Sequence, residues 1–563
     1  MKFEIKNTYL NAVSFVLIVG LIGYFYFEFF TYTSNIPVND DYKAILEFLN
    51  NFKADESFSS RMSLLFAQFN EHRIVYDRIW TLVSYKLFGK VDFNFLALIG
   101  NLSYLGIFLL LALPLRKRGW FYVLPVAILI FNFAFHENMT FPMATLSNNT
   151  GVLFSLLSIY FAVKSEKHAY LSIVFFVLAV LTVGSGLFLI FLLPAIFWYR
   201  GKKKLFWAFI GVAVATLALY FIGYQKPPQT PDVFETILYF KLKATTFFFS
   251  FIGSIFSYNL IFTNDLTDSV VFSAMFGLVM VIFYGYLIRK RYYKDNLLAF
   301  AMISFVILVA GITSVTRAQF GIETAIASRY KLYSAIMLVY CYYYFLEKVE
   351  LRQSWRDGIV ALFSLVYFFG ISNKQTEYLA YRQHLNYLGV VNFYSGNHKM
   401  LNGFEQDLYK EILEKAKNYK IYTLPDESEV NALYPFSQKV SNLTQNTNTD
   451  AWFTHDVEQI YELKDSFLIF GKGFLDRQSS YEQNIYLELQ DSASGEKRTF
   501  ATQRMKRYDT NPYFKKGNLD YAGFVCRIKK EDLGSAEYSV ITSISNDGLF
   551  RREPTDKKIK KTF

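Results

Sequence analysis

The sequence predicts a polytopic α-helical membrane protein carrying a strand-rich C-terminal domain. Three observations predict it. Of 563 residues, 53% are hydrophobic, mean hydropathy is +0.20, and the apolar residues gather in blocks between Leu10 and Ser372. The net charge of +11 comes largely from short basic clusters between those blocks, a pattern that orients membrane helices and does not suit nucleic acid. After Ser372 the blocks stop and short alternating runs take over. These features exclude a wholly soluble chain and a disordered one. Two cysteines, Cys341 in an apolar block and Cys526 in the polar tail, provide no disulfide framework.

A bilayer core about 30 Å thick needs about 20 apolar residues per helix. Eleven spans are expected, near 10–32, 92–115, 119–135, 146–163, 169–184, 186–199, 205–224, 269–288, 296–315, 328–346 and 356–372. The fifth and sixth meet at Gly184-Ser185-Gly186. The first span is long and lacks a small-residue cleavage site, so it reads as a retained helix. Lys2 and Lys6, Arg116-Lys117-Arg118, Lys164 and Lys167, Arg200 with Lys202–Lys204, Arg289-Lys290-Arg291, and Lys348, Arg352 and Arg356 all fall on one side if the N-terminus is cytoplasmic. The C-terminal region then lies outside, in a multi-pass protein of the cell (inner or plasma) membrane. This count requires Thr236–Tyr258 to be a re-entrant or surface helix.

Residues 1–372 form the membrane domain. Within it, 33–91 is a long outer loop, with helical apolar spacing at Tyr42, Ile45, Leu46, Leu49 and Phe52, and again at Ile74, Val75, Ile79, Leu82 and Val83. Two amphipathic helices on the outer surface satisfy both patterns, as does a simple cover for the bundle ends. Residues 373–450 read as polar helix over 374–418, a short strand at Ile421–Leu424, and a Ser/Asn/Thr-rich linker over 426–450. Residues 451–563 alternate, with Ile485, Leu487 and Leu489 on one face, and read as a β-sandwich. The last lysines, Lys557 to Lys561, read as a solvated tail.

Mid-depth ionisable residues are scarce, which disfavours an ion-coupled transporter. Ionisable groups collect instead at the outer rim, in four places. Asn39-Asp40-Asp41 follows the first span; neighbouring carboxylates can hold a cation or shift a pKa, or Asp41 can cap the helix beginning at Tyr42. Asn70-Glu71-His72-Arg73 offers a base and a phosphate ligand, or an Arg73–Asp77 pair one helical turn apart. His136-Glu137-Asn138 ends the third span and is also readable as a polar turn. Arg317 with Glu323 and Ser328-Arg329-Tyr330-Lys331 present cations suited to a phosphate, or to snorkelling. No phosphate-binding glycine loop, zinc spacing or nucleophile elbow occurs, so an enzyme here has to draw its donor from the membrane.

The N-in helical bundle, the long first outer loop opening with Asp40-Asp41, and the C-terminal domain together resemble the C-type glycosyltransferase superfamily, which takes sugars from polyprenyl-phosphate carriers. Asn70-Glu71-His72-Arg73 and Ser328-Arg329-Tyr330 are similar to a bacterial branch that modifies cell-surface polysaccharides. Arg507-Tyr508-Asp509-Thr510, Ala522-Gly523-Phe524 and Ala536-Glu537-Tyr538-Ser539-Val540 look like a β-sandwich module found on such proteins. The resemblance implies a GT-C-like bundle, a hexosyl or pentosyl transfer, and a cell-surface glycan or glycolipid acceptor. It implies contact with membrane lipids and none with nucleic acid. Asp41, ahead of Asp40 and Glu71, is the expected base. His72, Arg73, His136, Glu137, Arg317, Arg329 and Tyr330 are expected to bind substrate. Magnesium or manganese held by Asp40 and Asp41 is compatible with the family and not required. Two other functions fit the same composition: an outer-face glycan polymerase or ligase, and a lipid or glycan transporter with a binding domain.

Overall fold

The computed structural model describes residues 8–228, 230–257, 266–369, 376–394, 401, 405–426, 433–441, 452–476, 478–507, 510, 519–534, 537–546 and 549–561. The chain divides into two compact units. One comprises Met1–Leu379 with Glu411–Thr423, the other Ala380–Lys410 with Leu424–Phe563.

The first unit is helical. Among the described residues, seven of its helices are long and apolar enough to cross a membrane: Thr8–Tyr32, Phe93–Ala112, Trp120–Thr140, Pro142–Lys164, Lys203–Phe221, Thr267–Arg289 and Leu297–Phe320. Local chemistry sets several of their starts. The Asp92 carboxylate accepts the Phe95 N–H at 3.0 Å, and Asn296 accepts that of Ala299 at 3.1 Å; both satisfy amides that have no intrahelical partner. Large apolar side chains such as Val16, Phe27, Trp207, Leu219, Met275 and Ile282 stay exposed on these helices. A patch of that kind is costly in water and costs nothing in lipid.

The other four expected spans are present as helices but are shorter or more polar. Leu171–Val180 and Gly184–Tyr199 are short apolar helices. Ser328–Lys348 is 21 residues long but carries Arg329, Lys331 and a run of tyrosines. Gln353–Tyr367 has 15 residues and carries Arg356 and Asp357 near its start. The Thr236–Tyr258 segment is two helices, Val233–Tyr239 and Lys241–Ile252. The second has 12 residues, about 18 Å, and is too short to span alone. It packs against Leu266–Arg289, Leu297–Arg317 and Ser328–Lys348. Tyr258 lies outside the described residues.

The long loop differs from its sequence reading. Tyr42–Glu47 is a π-helical turn that runs into the α-helix Phe48–Ala54, and Tyr42, Ala44, Ile45, Leu46, Phe48, Leu49 and Asn50 are all buried. A third helix, Phe58–Phe66, precedes Val75–Phe88. Gly89 ends the latter at φ 70°, a left-handed conformation that favours glycine. Ile421–Leu424 is not a strand. Its Ile421 carbonyl accepts the Val91 N–H at 2.9 Å, a single bond without a ladder.

The second unit contains an antiparallel β-sandwich. Its strands are β1 (Lys439–Val440), β2 (Phe453–Glu462), β3 (Ser466–Leu475), β4 (Asn484–Asp491), β5 (Lys497–Ala501), β6 (Gln503–Met505), β7 (Gly523–Lys529), β8 (Glu537–Asn546) and β9 (Leu549–Lys560). One sheet runs β1-β5-β4-β8-β9 and the other β2-β3-β7-β6. Ile485, Leu487 and Leu489 meet Ile469, Phe524, Cys526 and Ile528 in the core, as the alternation predicts. Two expectations fail. Part of the 426–450 linker is strand β1, paired with β5 through Lys439↔Phe500. The terminal lysines are not a loose tail: Lys558 and Lys560 lie in β9, opposite Ser539 and Glu537 of β8. Tyr508, Asp509 and Ala536 lie outside the described residues.

Candidate functional site

The rim groups separated in sequence converge in the helical unit as two polar clusters. The first forms where the chain leaves Thr8–Tyr32. Asn39 takes φ 47°, and the Asp41 N–H donates to the Val38 carbonyl at 3.0 Å, closing a tight turn. The Asp41 side chain is fully buried. Its Oδ2 accepts the Val38 N–H at 3.0 Å and its Oδ1 the Met143 N–H at 2.9 Å. It makes no cap bond to the helix at Tyr42. Asp41 therefore ties the loop to the start of a second π-helical turn, Thr145–Asn149. Asp40, half-buried, carries its charge within reach of Arg329, as does Glu137.

The 133–140 segment and the head of Ser328–Lys348 are joined by one hydroxyl. Ser328 Oγ donates to the Ala134 carbonyl at 2.9 Å and accepts the Glu137 N–H at 3.1 Å. That bridge holds His136 and Glu137 beside Arg329 and the buried Lys331, on which the Glu137 charge also acts. Arg329 is exposed, with its guanidinium 5.2 Å from the Tyr330 ring centroid. Tyr330 packs on Phe251 at 4.9 Å. The cluster sets two carboxylates, Asp40 and Glu137, against one exposed cation.

The second cluster surrounds Glu71. Its carboxylate takes the Arg317 guanidinium at 2.9 Å and the Thr230 hydroxyl at 3.1 Å. Burial opposes ionisation of Glu71. The charges of Arg317 and His72, with hydrogen bonds from its own backbone and Thr230, outweigh it and hold the carboxyl below its ordinary range. Burial lowers the His72 imidazole, helped by Arg317 and opposed by Glu71. His72 Nδ1 accepts the Gly184 N–H at 3.3 Å. An added Cβ at Gly184 would lie 2.8 Å from that nitrogen, so glycine is required there by close approach. Next to it, Ser185 and Tyr333 hydroxyls meet at 3.2 Å. Tyr333 stands one turn from Tyr330, which links the two clusters.

Arg73 was expected to bind phosphate. Instead it donates to the Tyr220 carbonyl at 2.8 Å and to those of Phe66 and Ile222, and so clamps two loops together. It does not pair with Asp77. Among the described residues no three His, Cys, Asp or Glu side chains gather to hold a metal ion, and the Asp41 oxygens are already taken by backbone amides. Sequence reasoning missed Thr230, Tyr220, Ser185 and Tyr333. The Gly184-Ser185-Gly186 signal was visible but read only as a boundary between spans. Comparison with known proteins finds no matching family model, no matching curated protein and no matching solved structure.

Proposed function

We propose that this chain is an outer-face membrane glycosyltransferase that moves a sugar from a polyprenyl-phosphate carrier to a cell-surface glycan or glycolipid. The reading takes eleven spans, a cytoplasmic N-terminus and an outer C-terminal unit. One observation supports it above the others: the Asp40 and Glu137 carboxylates lie within electrostatic reach of an exposed guanidinium, Arg329. An attacking hydroxyl needs a carboxylate to take its proton. A departing lipid phosphate needs a cation already in position. Asp40 serves as base and Arg329 as phosphate ligand, with Arg317 held in reserve by Glu71. Asp41, which the sequence favoured as base, is better suited to holding the turn, because both of its oxygens accept backbone amides. Tyr330 orients Arg329 by stacking beneath it.

The test is sugar transfer from a radiolabelled polyprenyl-phosphate donor by purified full-length protein. Asp40→Asn is expected to lose about 10²–10⁴-fold in turnover, the usual loss for a general base. Arg329→Lys is expected to retain more activity than Arg329→Ala, because the point charge survives while the bidentate fork is lost. Normal turnover in Asp40→Asn would sink the assignment and move attention to Glu137. For topology, a Ser441→Cys variant in intact spheroplasts is expected to react with a membrane-impermeant thiol reagent. Reaction only after lysis would reverse the orientation.

A further inference from the structure

The carboxyl of Asp77 is used by neither cluster. It lies on Val75–Phe88 and is fully buried. Neither of its oxygens has a hydrogen-bond partner among the described residues. The neighbouring Arg78 does not supply one, because its guanidinium donates to the Leu65 and Ala67 carbonyls. An ionised carboxylate so placed loses its hydration with no hydrogen-bond partner to replace it, and the inexpensive remedy is a proton. Burial raises its titration well above the carboxylate range; the Arg78 charge opposes this and the Asp41 charge reinforces it.

Its surroundings give that proton a consequence. Val75–Phe88 contacts both π-helical turns, Tyr42–Glu47 and Thr145–Asn149. Asp41 bridges the residues just ahead of those turns, through the Val38 and Met143 amides. π-Turns inside helices are rare and concentrate at functional sites. The other elements packed on Val75–Phe88 are Phe48–Ala54, Phe58–Phe66 and Phe93–Ala112. They bring Lys53, Arg61 and the capping Asp92, while Tyr42–Glu47 brings Lys43 and Glu47, and Thr145–Asn149 has no charged group. Lys53 is bonded to Tyr85, Arg61 to the Phe52 and Asp55 carbonyls, and Asp92 to Phe95. The charges acting on Asp77 are those of Arg78 and Asp41.

We propose that Asp77 is a buried proton-binding site, and that loss of its proton loosens the Asp41 bridge that carries Asp40. Two buried carboxylate charges then act on each other, and the bridge is the part that can yield. The inference concerns the fold and stands apart from the sugar-transfer reading.

Hydrogen exchange tests it on full-length protein in detergent, in peptides covering Val38 and Met143, from about pH 6 to about pH 9, after correction for intrinsic amide chemistry. Wild type is expected to gain exchange at both amides, by up to about tenfold per pH unit once the carboxyl ionises, because one proton is linked to opening. Asp77→Asn, a permanent stand-in for the neutral acid, is expected to stay flat. Peptides of β3 serve as internal control. The same rise in Asp77→Asn overturns the proposal. Should that variant fail to fold, wild type decides alone: Val38 and Met143 gaining no more than β3 overturns it equally.

Discussion

The two units bury polar groups by different rules. In the helical unit the partner is mostly backbone, on the same helix or a neighbouring one: Ser155 Oγ bonds the Gly151 carbonyl at 2.8 Å and Ser147 that of Met143 at 2.7 Å, Ser158 bonds that of Ser172 at 2.7 Å, and the buried ions Asp41 and Arg78 bond backbone amides and carbonyls. The strand-rich unit pairs its buried ions with opposite charges. Arg527 is fully buried, bonds Ser466 and the Tyr434 carbonyl, pairs with Asp465 at 3.3 Å, and lies 4.2 Å from the Phe436 ring centroid. Glu488, also fully buried, pairs with Arg552 at 2.8 Å. An α-helix always offers a carbonyl one turn back, whereas a strand's carbonyls are committed to the ladder. Asp41, Glu71 and Ser328 reach beyond their own segments and build the two polar clusters, while Arg73 ties neighbouring segments outside them.

Substitutions can break this contrast, and the largest effect is expected at Arg527. Arg527→Ala removes a buried ion that organises three partners and should cost about 3–5 kcal/mol, read by denaturant unfolding of the strand-rich unit through its tyrosine signal. A loss below about 1 kcal/mol would show that the sandwich does not depend on its buried charge.

Acid provides the next effect. His384 bonds Tyr434 at 2.6 Å and packs on Phe470. Burial, with the Arg507 charge, pushes its imidazole down to about 4, against about 6.5 when unfolded. The folded state thus binds the proton more weakly. Its contribution is fully present above about pH 6.5 and is lost as pH falls toward about 4, to a total of about 3 kcal/mol. His384→Gln should flatten unfolding free energy across that window, and an unchanged slope would remove His384 from the account.

Smaller effects belong to the helical unit. Gly184→Ala should cost about 1–3 kcal/mol, because the new methyl must displace His72; thermal unfolding in detergent reads it, and a neutral result would mean the ring moves aside freely. Ser155→Ala should cost under about 0.5 kcal/mol, since the Gly151 carbonyl keeps its helical amide partner. A loss above about 1 kcal/mol would show that this hydroxyl does more than return to its own helix.

The sequence made the helical unit legible because apolar blocks of helical length are the direct signal of a membrane-spanning helix. Ile485, Leu487 and Leu489 likewise announced the sandwich core. What stayed hidden depended on contacts across long separations. Asp40-Asp41 looked like one feature, but backbone amides from Val38 and from Met143, 102 residues further on, single out Asp41. The Glu71–Arg317 pair joins residues that no local spacing relates. Arg73 resembled a phosphate ligand because two of its three carbonyl partners, Tyr220 and Ile222, lie 147 and 149 residues further on. The lysines of β9 looked like a tail because a strand with polar side chains at most positions shows little alternation.

Strand β9 has a consequence for crowding. It closes the five-stranded sheet at one edge, and its outward positions carry Lys558 and Lys560, with Pro554 ahead of them. An uncovered edge is a template on which another chain can add a strand. Lysines repel a like-charged copy, and proline withholds the amide that such an addition needs. Proteins confined to one surface collide far more often than the same number in solution. Removing the last dozen residues would bare β8, whose Val540, Ile541 and Ile544 are buried, and convert a guarded border into an adhesive one.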